Sequence, residues 1–168
     1  KMTERALFNR RYTSYTPNGT EVWLLNGAGV QTTLSNTTDF IAGVDLNQGQ
    51  VVFVSGTYVV PAVAASGATQ PEYRAIGVTA EAAFQNATLS VVLDDAATIP
   101  GSQITAESAL TPGETYYLSK YSGELTKYST ASGLITRASG YAALAPIGTA
   151  VSTSELQVEI GIPVILTD

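Results

Sequence analysis

The chemistry open to this chain is set first by two residue types it lacks. With no His and no Cys, it has no imidazole base, thiol nucleophile, disulfide framework or Cys/His zinc site. Carboxylates and hydroxyls remain. Asp94-Asp95 is the one adjacent carboxylate pair, and beside Thr98 it offers oxygen ligands of the kind a hard cation takes. The regular Asp/Asn spacing of a calcium loop is missing, so a solvated turn is expected there. Glu155 and Glu159 flank an alternating run, Glu155-Leu-Gln-Val-Glu159, which puts Glu155, Gln157 and Glu159 together on the solvent side of a strand. A glycosidase pair is therefore not expected. The 22 Thr and 14 Ser include no Gly-x-Ser-x-Gly elbow, and no His stands ready to activate a hydroxyl. Gly27-Ala28-Gly29 lacks the spacing of a dinucleotide loop and reads as a hairpin turn. The Asn-x-Thr triplets at Asn18, Asn36 and Asn86 are what a Thr-rich chain produces by chance. The expectation is a protein that is not an enzyme, with no cofactor and no metal.

Binding or structural roles are favoured by composition as well. The 168 residues are 45% hydrophobic and 13% charged, with 15 Gly and 7 Pro. Three Lys and one Met against plentiful Val, Thr and Tyr make a turn-rich sheet protein large enough to bury a core. No apolar run of 18 residues is present, so no membrane partner is expected. Charge is uneven: Lys1, Arg5, Arg10 and Arg11 against Glu4 make the first 11 residues +3, and the remainder, four cations against thirteen carboxylates, is −9. An acidic body disfavours nucleic acid as a partner.

The elements follow from short apolar runs cut by turn signals. Residues 1–20, with Pro17-Asn18-Gly19 and little periodicity, read as an extended arm. Residues 21–43 read as linking strands: Glu21–Leu25 and Val30–Leu34 as a hairpin around Asn26-Gly27-Ala28-Gly29, then a short extended piece at Phe40–Ala42. Val51–Val54 and Thr57–Val60 make a tight hairpin about Ser55-Gly56. Strands are expected at Arg74–Thr79 and Leu89–Leu93. The Ala-rich 80–87 stretch between them has room for one helical turn, too short to stand alone.

From residue 108 the pattern starts again. Leu46-Asn-Gln-Gly49-Gln-Val-Val-Phe-Val-Ser55 lines up with Leu110-Thr-Pro-Gly113-Glu-Thr-Tyr-Tyr-Leu-Ser119, and Gly56 with Gly123. Ala75-Ile-Gly77-Val78 matches Pro146-Ile-Gly148-Thr149, and Leu89–Leu93 matches Leu156–Ile160. Four anchors in the same order predict a first β-unit over 44–107 and a second over 108–168. The expected fold is all-β, a small β-sandwich or barrel built from two similar units, with an extended N-terminal arm.

At Leu110–Ile160 the residues LTPGETYYLS, SGELT and APIGTAVSTSELQVEI resemble a pattern of bacteriophage virion proteins found in capsid decoration (cement) proteins, head fibres and tail fibres. The first unit, with VDLNQGQVVFV and YRAIGVTAEAA, is similar to the small β-domains of cement proteins. Together they cover about residues 44–160. The resemblance implies a virion structural protein on the outer capsid surface that stabilises the head across capsid subunits. Its partners would be the major capsid protein and itself, as a homotrimer, with no cofactor. Two alternatives stay open: a host-facing tail-fibre or tail-spike module, and a carbohydrate-binding β-domain stacking sugars on Trp23 and exposed tyrosines.

The candidate contact residues are Arg5, Arg10, Arg11, Tyr12, Tyr15 and Trp23. Arg forks suit carboxylates on a neighbour, and Tyr and Trp bury a large ring while keeping a polar tip satisfied. Tyr116 and Tyr117 must face opposite sides of their strand, so at most one fills the core of its unit, and the other is a candidate for an interface or an exposed cross-strand pair.

Overall fold

Adjacent β-hairpins with Gly at their reversals dictate sheets closed by near neighbours, and that is what the computed structural model contains. It describes residues 36–130 and 133–167, together with the backbone strands at 13–15, 22–25 and 31–34. The chain divides after Asn36 into two units.

In the first, β1 (Thr13–Tyr15), β2 (Val22–Leu25) and β3 (Gln31–Leu34) form an antiparallel sheet in chain order. Ser14 stands opposite Trp23, and Trp23 opposite Thr33. The expected hairpin at 21–34 is present. The arm is a correction in part: Thr13–Tyr15 is a paired strand. β-branched and aromatic residues ahead of a Pro-Asn-Gly turn signal favour doubling back over running free. Arg5, Arg10, Arg11 and Tyr12 lie outside the described residues.

The second unit holds two five-stranded assemblies. β4 (Thr37–Ala42), β5 (Val51–Ser55), β6 (Tyr58–Pro61), β7 (Gly77–Thr79) and β8 (Thr88–Val92) close into a barrel in the order β4-β6-β5-β7-β8. The seam is the parallel pair β4–β6, with Ile41 opposite Tyr58. β9 (Ala96–Thr98), β10 (Thr115–Leu118), β11 (Leu125–Lys127), β15 (Pro146–Ala150) and β16 (Glu155–Val158) form a sheet in the order β11-β10-β15-β16-β9. Taken strand by strand this is the same order as the barrel, and its ends meet through one parallel bridge, Ile104 to Leu125. A 3-10 turn at Gly101–Gln103 separates β9 from that bridge, so the strand that is continuous as β4 is broken in the second copy. Inserted between β11 and β15 are β12 (Ser129–Thr130), β13 (Gly133–Leu134), a second 3-10 turn (Arg137–Ser139) and β14 (Ala143–Leu144). β14 pairs with the C-terminal β17 (Val164–Ile165).

The likeness of the two copies extends to individual hydrogen bonds. Gly49 N–H donates to Thr79 O (3.0 Å) and Thr79 N–H to Gln50 O (2.9 Å). In the second copy Gly113 N–H donates to Ala150 O (2.8 Å) and Ala150 N–H to Glu114 O (2.9 Å). Gly49 and Gly113 both hold positive φ, 79° and 88°, where an L side chain is strained. The register does shift the last anchor. Val91 is opposite Thr79 as Leu156 is opposite Ala150, so Leu156 corresponds to Val91 and not to Leu89. The slip is two residues, which preserves the faces.

Three further expectations change. The strand expected from Arg74 begins at Gly77, because a turn in which Arg74 N–H donates to Pro71 O (3.1 Å) occupies the residues before it. The 80–87 stretch forms no helical turn: Ala83 bridges Leu46, and Ala87 N–H closes a turn on Phe84 O (3.0 Å). β4 and β9 lie before the boundaries expected for their units, since each copy opens with a strand whose apolar pattern is too short to stand out.

The barrel interior is a small cluster of Ala42, Leu46, Val52, Val59, Leu89 and Val91. Its outward row Val51, Val78 and Val92 is buried in the larger cluster that includes Tyr116, Leu118, Leu125, Ile147, Leu156 and Val158. Alternation along β5, β7 and β8 thus serves two cores, one on each face. Val51 N–H donating to Gly123 O (2.9 Å) and Gly123 N–H to Ala62 O (2.7 Å) tie the copies together through the backbone.

Candidate functional site

The apolar residues left bare are the first candidate surface. Val164 and Ile165 are consecutive in β17, so their side chains point to opposite faces, yet they are 57% and 52% exposed. Ile162 just before them is 84% exposed. The segment borders a groove of about 460 Å³ whose lining includes Arg74, Ile76, Ile160 and Pro163. Leu166 N–H to Ala142 O (3.0 Å) and the β14 pairing hold the segment in place. A paired strand with apolar side chains bare on both faces is unusual on the surface of an isolated protein. A second bare spot lies on the first barrel, where Phe84 is 80% exposed on the turn after Ala83.

The second candidate is a cleft of about 270 Å³ on the second copy. Lys120, from the β10–β11 connection, and Ser139, from the second 3-10 turn, meet across it: Lys120 Nζ donates to Ser139 O (2.8 Å). The ammonium sits 5.8 Å from the Tyr121 ring centre and 5.7 Å from that of Tyr141, within cation–π range. Ser139 is fixed by reciprocal bonds with Thr136, Thr136 N–H to Ser139 Oγ (2.9 Å) and Ser139 N–H to Thr136 Oγ1 (3.2 Å). Thr105 and Ala106 form another wall. Thr105 Oγ1 donates to Glu124 Oε2 (2.9 Å), and Ala106 has φ +66°, a conformation that costs a non-glycine residue energy and concentrates at ligand sites. Lys127 Nζ pairs with Glu107 Oε1 (3.1 Å) and donates to Thr111 Oγ1 (3.2 Å). The Glu107 hydrogen bond raises the Lys127 pKa, against a smaller opposing effect of burial.

The residues singled out in the sequence fall as follows. Tyr15 and Trp23 are placed as backbone in β1 and β2. Asp94-Asp95 is a bend in which Asp95 Oδ1 accepts from Ala96 N–H (2.8 Å), and no group of three or more His, Cys, Asp or Glu that could hold a metal occurs among the described residues. Glu155 and Glu159 are exposed while Leu156 and Val158 are buried, as alternation requires. Tyr116 is fully buried. Tyr117 lies across from Tyr128, ring centres 6.3 Å apart at 59°, the tilted arrangement that aromatic pairs favour. The bare tail and the Lys120 cleft were not read from sequence. Ile160-Gly-Ile-Pro-Val-Ile165 was legible as apolar but not as exposed, and the cleft joins residues 105 to 141 that only folding assembles. The chain matches no protein-family model, no curated protein and no solved structure.

Proposed function

We propose that this chain is a structural protein of a bacteriophage particle, a capsid decoration protein that self-associates as a homotrimer and binds the major capsid protein on the outer shell. The observation that carries the reading is the bare tail. Ile162, Val164 and Ile165 are exposed on a segment paired with β14, and burying such side chains against another surface gains about 25 cal/mol per Å². Stable contacts need on the order of 1,000 Å² or more in total, to which the tail and its groove contribute the apolar centre. The resemblance of Leu110–Ile160 to virion proteins supports the same assignment. Attachment is purely associative: the tail joins copies, and the cationic residues Arg5, Arg10 and Arg11 reach carboxylates on the shell that the −9 body would otherwise repel.

The test has two arms. Sedimentation of the full chain at micromolar concentration is expected to give a trimer. The variant Ile162→Ser/Val164→Thr/Ile165→Thr is expected to sediment as a monomer with an unchanged far-UV circular dichroism spectrum, and to lose the concentration-dependent part of the unfolding midpoint that association contributes. Densitometry of purified particles is expected to find the protein in numbers comparable to the capsid subunit; tail-fibre numbers support the fibre alternative instead. A monomeric parent chain, or particles lacking it, overturns the proposal.

A further inference from the structure

We infer that the Lys120 cleft is a binding site for an acidic sugar, a pyranose bearing a carboxylate. Of the four cations after residue 12, namely Arg74, Lys120, Lys127 and Arg137, two line this cleft and Arg137 opens the 3-10 turn that supplies Ser139. Two carboxylates, Glu107 and Glu124, stand close by, so what matters is which cation they leave unmatched. Lys127 is matched by Glu107, and Glu124 is engaged by Thr105. Lys120 faces two aromatic rings and a carbonyl, with no carboxylate partner among the described residues. An ammonium carries three donors, and its one described hydrogen bond goes to Ser139.

The walls fit the rest of a sugar. Tyr121 is 51% exposed and offers a ring face for the apolar side of a pyranose, with a phenol at its rim. Thr105 and Ser139 also line the space, their hydroxyls held by Glu124 and Thr136, which fixes a polar wall beside the ring. The volume, about 270 Å³, takes one or two rings of a short oligosaccharide, the remainder lying outside the cleft. The Ala106 backbone, in its costly left-handed conformation, sits in the wall where the ligand would lie, as strained residues at binding sites commonly do. A carboxylate placed on Lys120 forms a charge-assisted hydrogen bond, roughly twice as strong as a neutral one, and this separates acidic from neutral sugars.

The experiment is a titration of the full-length protein, followed by amide NMR, with trigalacturonate and separately with its neutral counterpart, galactotriose. Saturable shifts confined to residues around Lys120, Tyr121 and Tyr141 are expected with trigalacturonate, with galactotriose at least about tenfold weaker. Lys120→Met is expected to abolish the preference and Tyr121→Ala to weaken both ligands at least about tenfold. Each variant's amide spectrum reports directly whether the fold is retained. Sodium acetate is the control for the carboxylate alone. The inference is overturned by no shifts with trigalacturonate at millimolar concentration, by equal binding of the neutral sugar, by acetate reproducing the shifts, or by a preference for trigalacturonate that survives Lys120→Met in a folded variant.

Discussion

Tyr116 stands directly opposite Gly148 across the β10–β15 pair, and Val52 stands opposite Gly77 in the same place of the other copy. The glycines are there because the next strand comes too close for a side chain. A Cβ on Gly148 would lie 2.1 Å from Gln157 O, and one on Gly77 would lie 2.3 Å from Val92 O. What differs is the partner. Val52 fills the narrow interior of the closed barrel, whereas Tyr116 is large enough to reach out of the fold's centre and accept a hydrogen bond at its phenol oxygen from Thr111 N–H (3.0 Å). That bond fixes the turn leading into β10. In the barrel the equivalent turn is fixed from the other side, by Thr79 Oγ1, which donates to Asn47 O (2.6 Å) and accepts from Gln50 N–H (2.9 Å). The two copies solve one problem with different hydroxyls.

Gly148→Ala and Gly77→Ala are each expected to cost about 3 kcal/mol or more, since the obstacle is backbone and cannot swing aside. Gly113→Ala meets nothing within 4 Å and is strained only by its φ, for about 1–2 kcal/mol. Urea unfolding midpoints of the three variants check the ranking.

Thr79→Val keeps the shape but strands the Gln50 N–H and the Asn47 carbonyl, for an expected loss of about 2–3 kcal/mol. Tyr116→Phe removes one acceptor from Thr111, an exposed residue whose N–H can turn to water, so about 1 kcal/mol is expected. Equal losses in denaturant midpoint for the two variants would contradict this account of the turns.

Leu89→Ala empties part of the barrel interior and is expected to cost about 2–5 kcal/mol. Because Val51, Val78 and Val92 on the barrel wall belong to the cluster that also holds Leu156, the barrel and second sheet are expected to unfold together. Far-UV circular dichroism and tyrosine fluorescence should give coincident curves in this variant; separated transitions would show that the copies fold independently.

Stability is expected to depend on pH through two groups on opposite limbs. Thr69 donates to Glu72 Oε2 from both Oγ1 (2.5 Å) and N–H (2.7 Å), which lowers the Glu72 pKa. That contribution is present above the unfolded carboxylate pKa and is lost as pH falls through the folded one. Glu72→Gln should therefore be less stable than the parent at pH 7 and converge with it in acid. Lys127, raised by its hydrogen bond to Glu107, contributes fully below its ordinary value of 10.5 and loses that contribution as pH rises through the folded value. Lys127→Gln should show its deficit at pH 7 and lose it in alkali. Unfolding midpoints across pH test both signs.

Residue type and spacing alone determined that this is an all-β chain of two like units, because alternation, Gly-punctuated reversals and the repeated Ile-Gly strand each depend on neighbours a few residues apart. The same local logic placed Leu156 and Val158 inside with Glu155 outside, and allowed at most one of Tyr116 and Tyr117 in the core. It could not find β4 or β9 as members of the copies, since a strand is recruited to a barrel by partners dozens of residues away: Thr37 by Val92 and Ala97 by Leu156. Only the tertiary structure decided that the barrel wall serves a second core, that Ile162, Val164 and Ile165 remain bare, and that Lys120 lies between Tyr121 and Tyr141. Hydrophobicity fixes what gains by leaving water. Which apolar groups find a partner, and which cations are left facing an open cleft, depends on closure of the sheets.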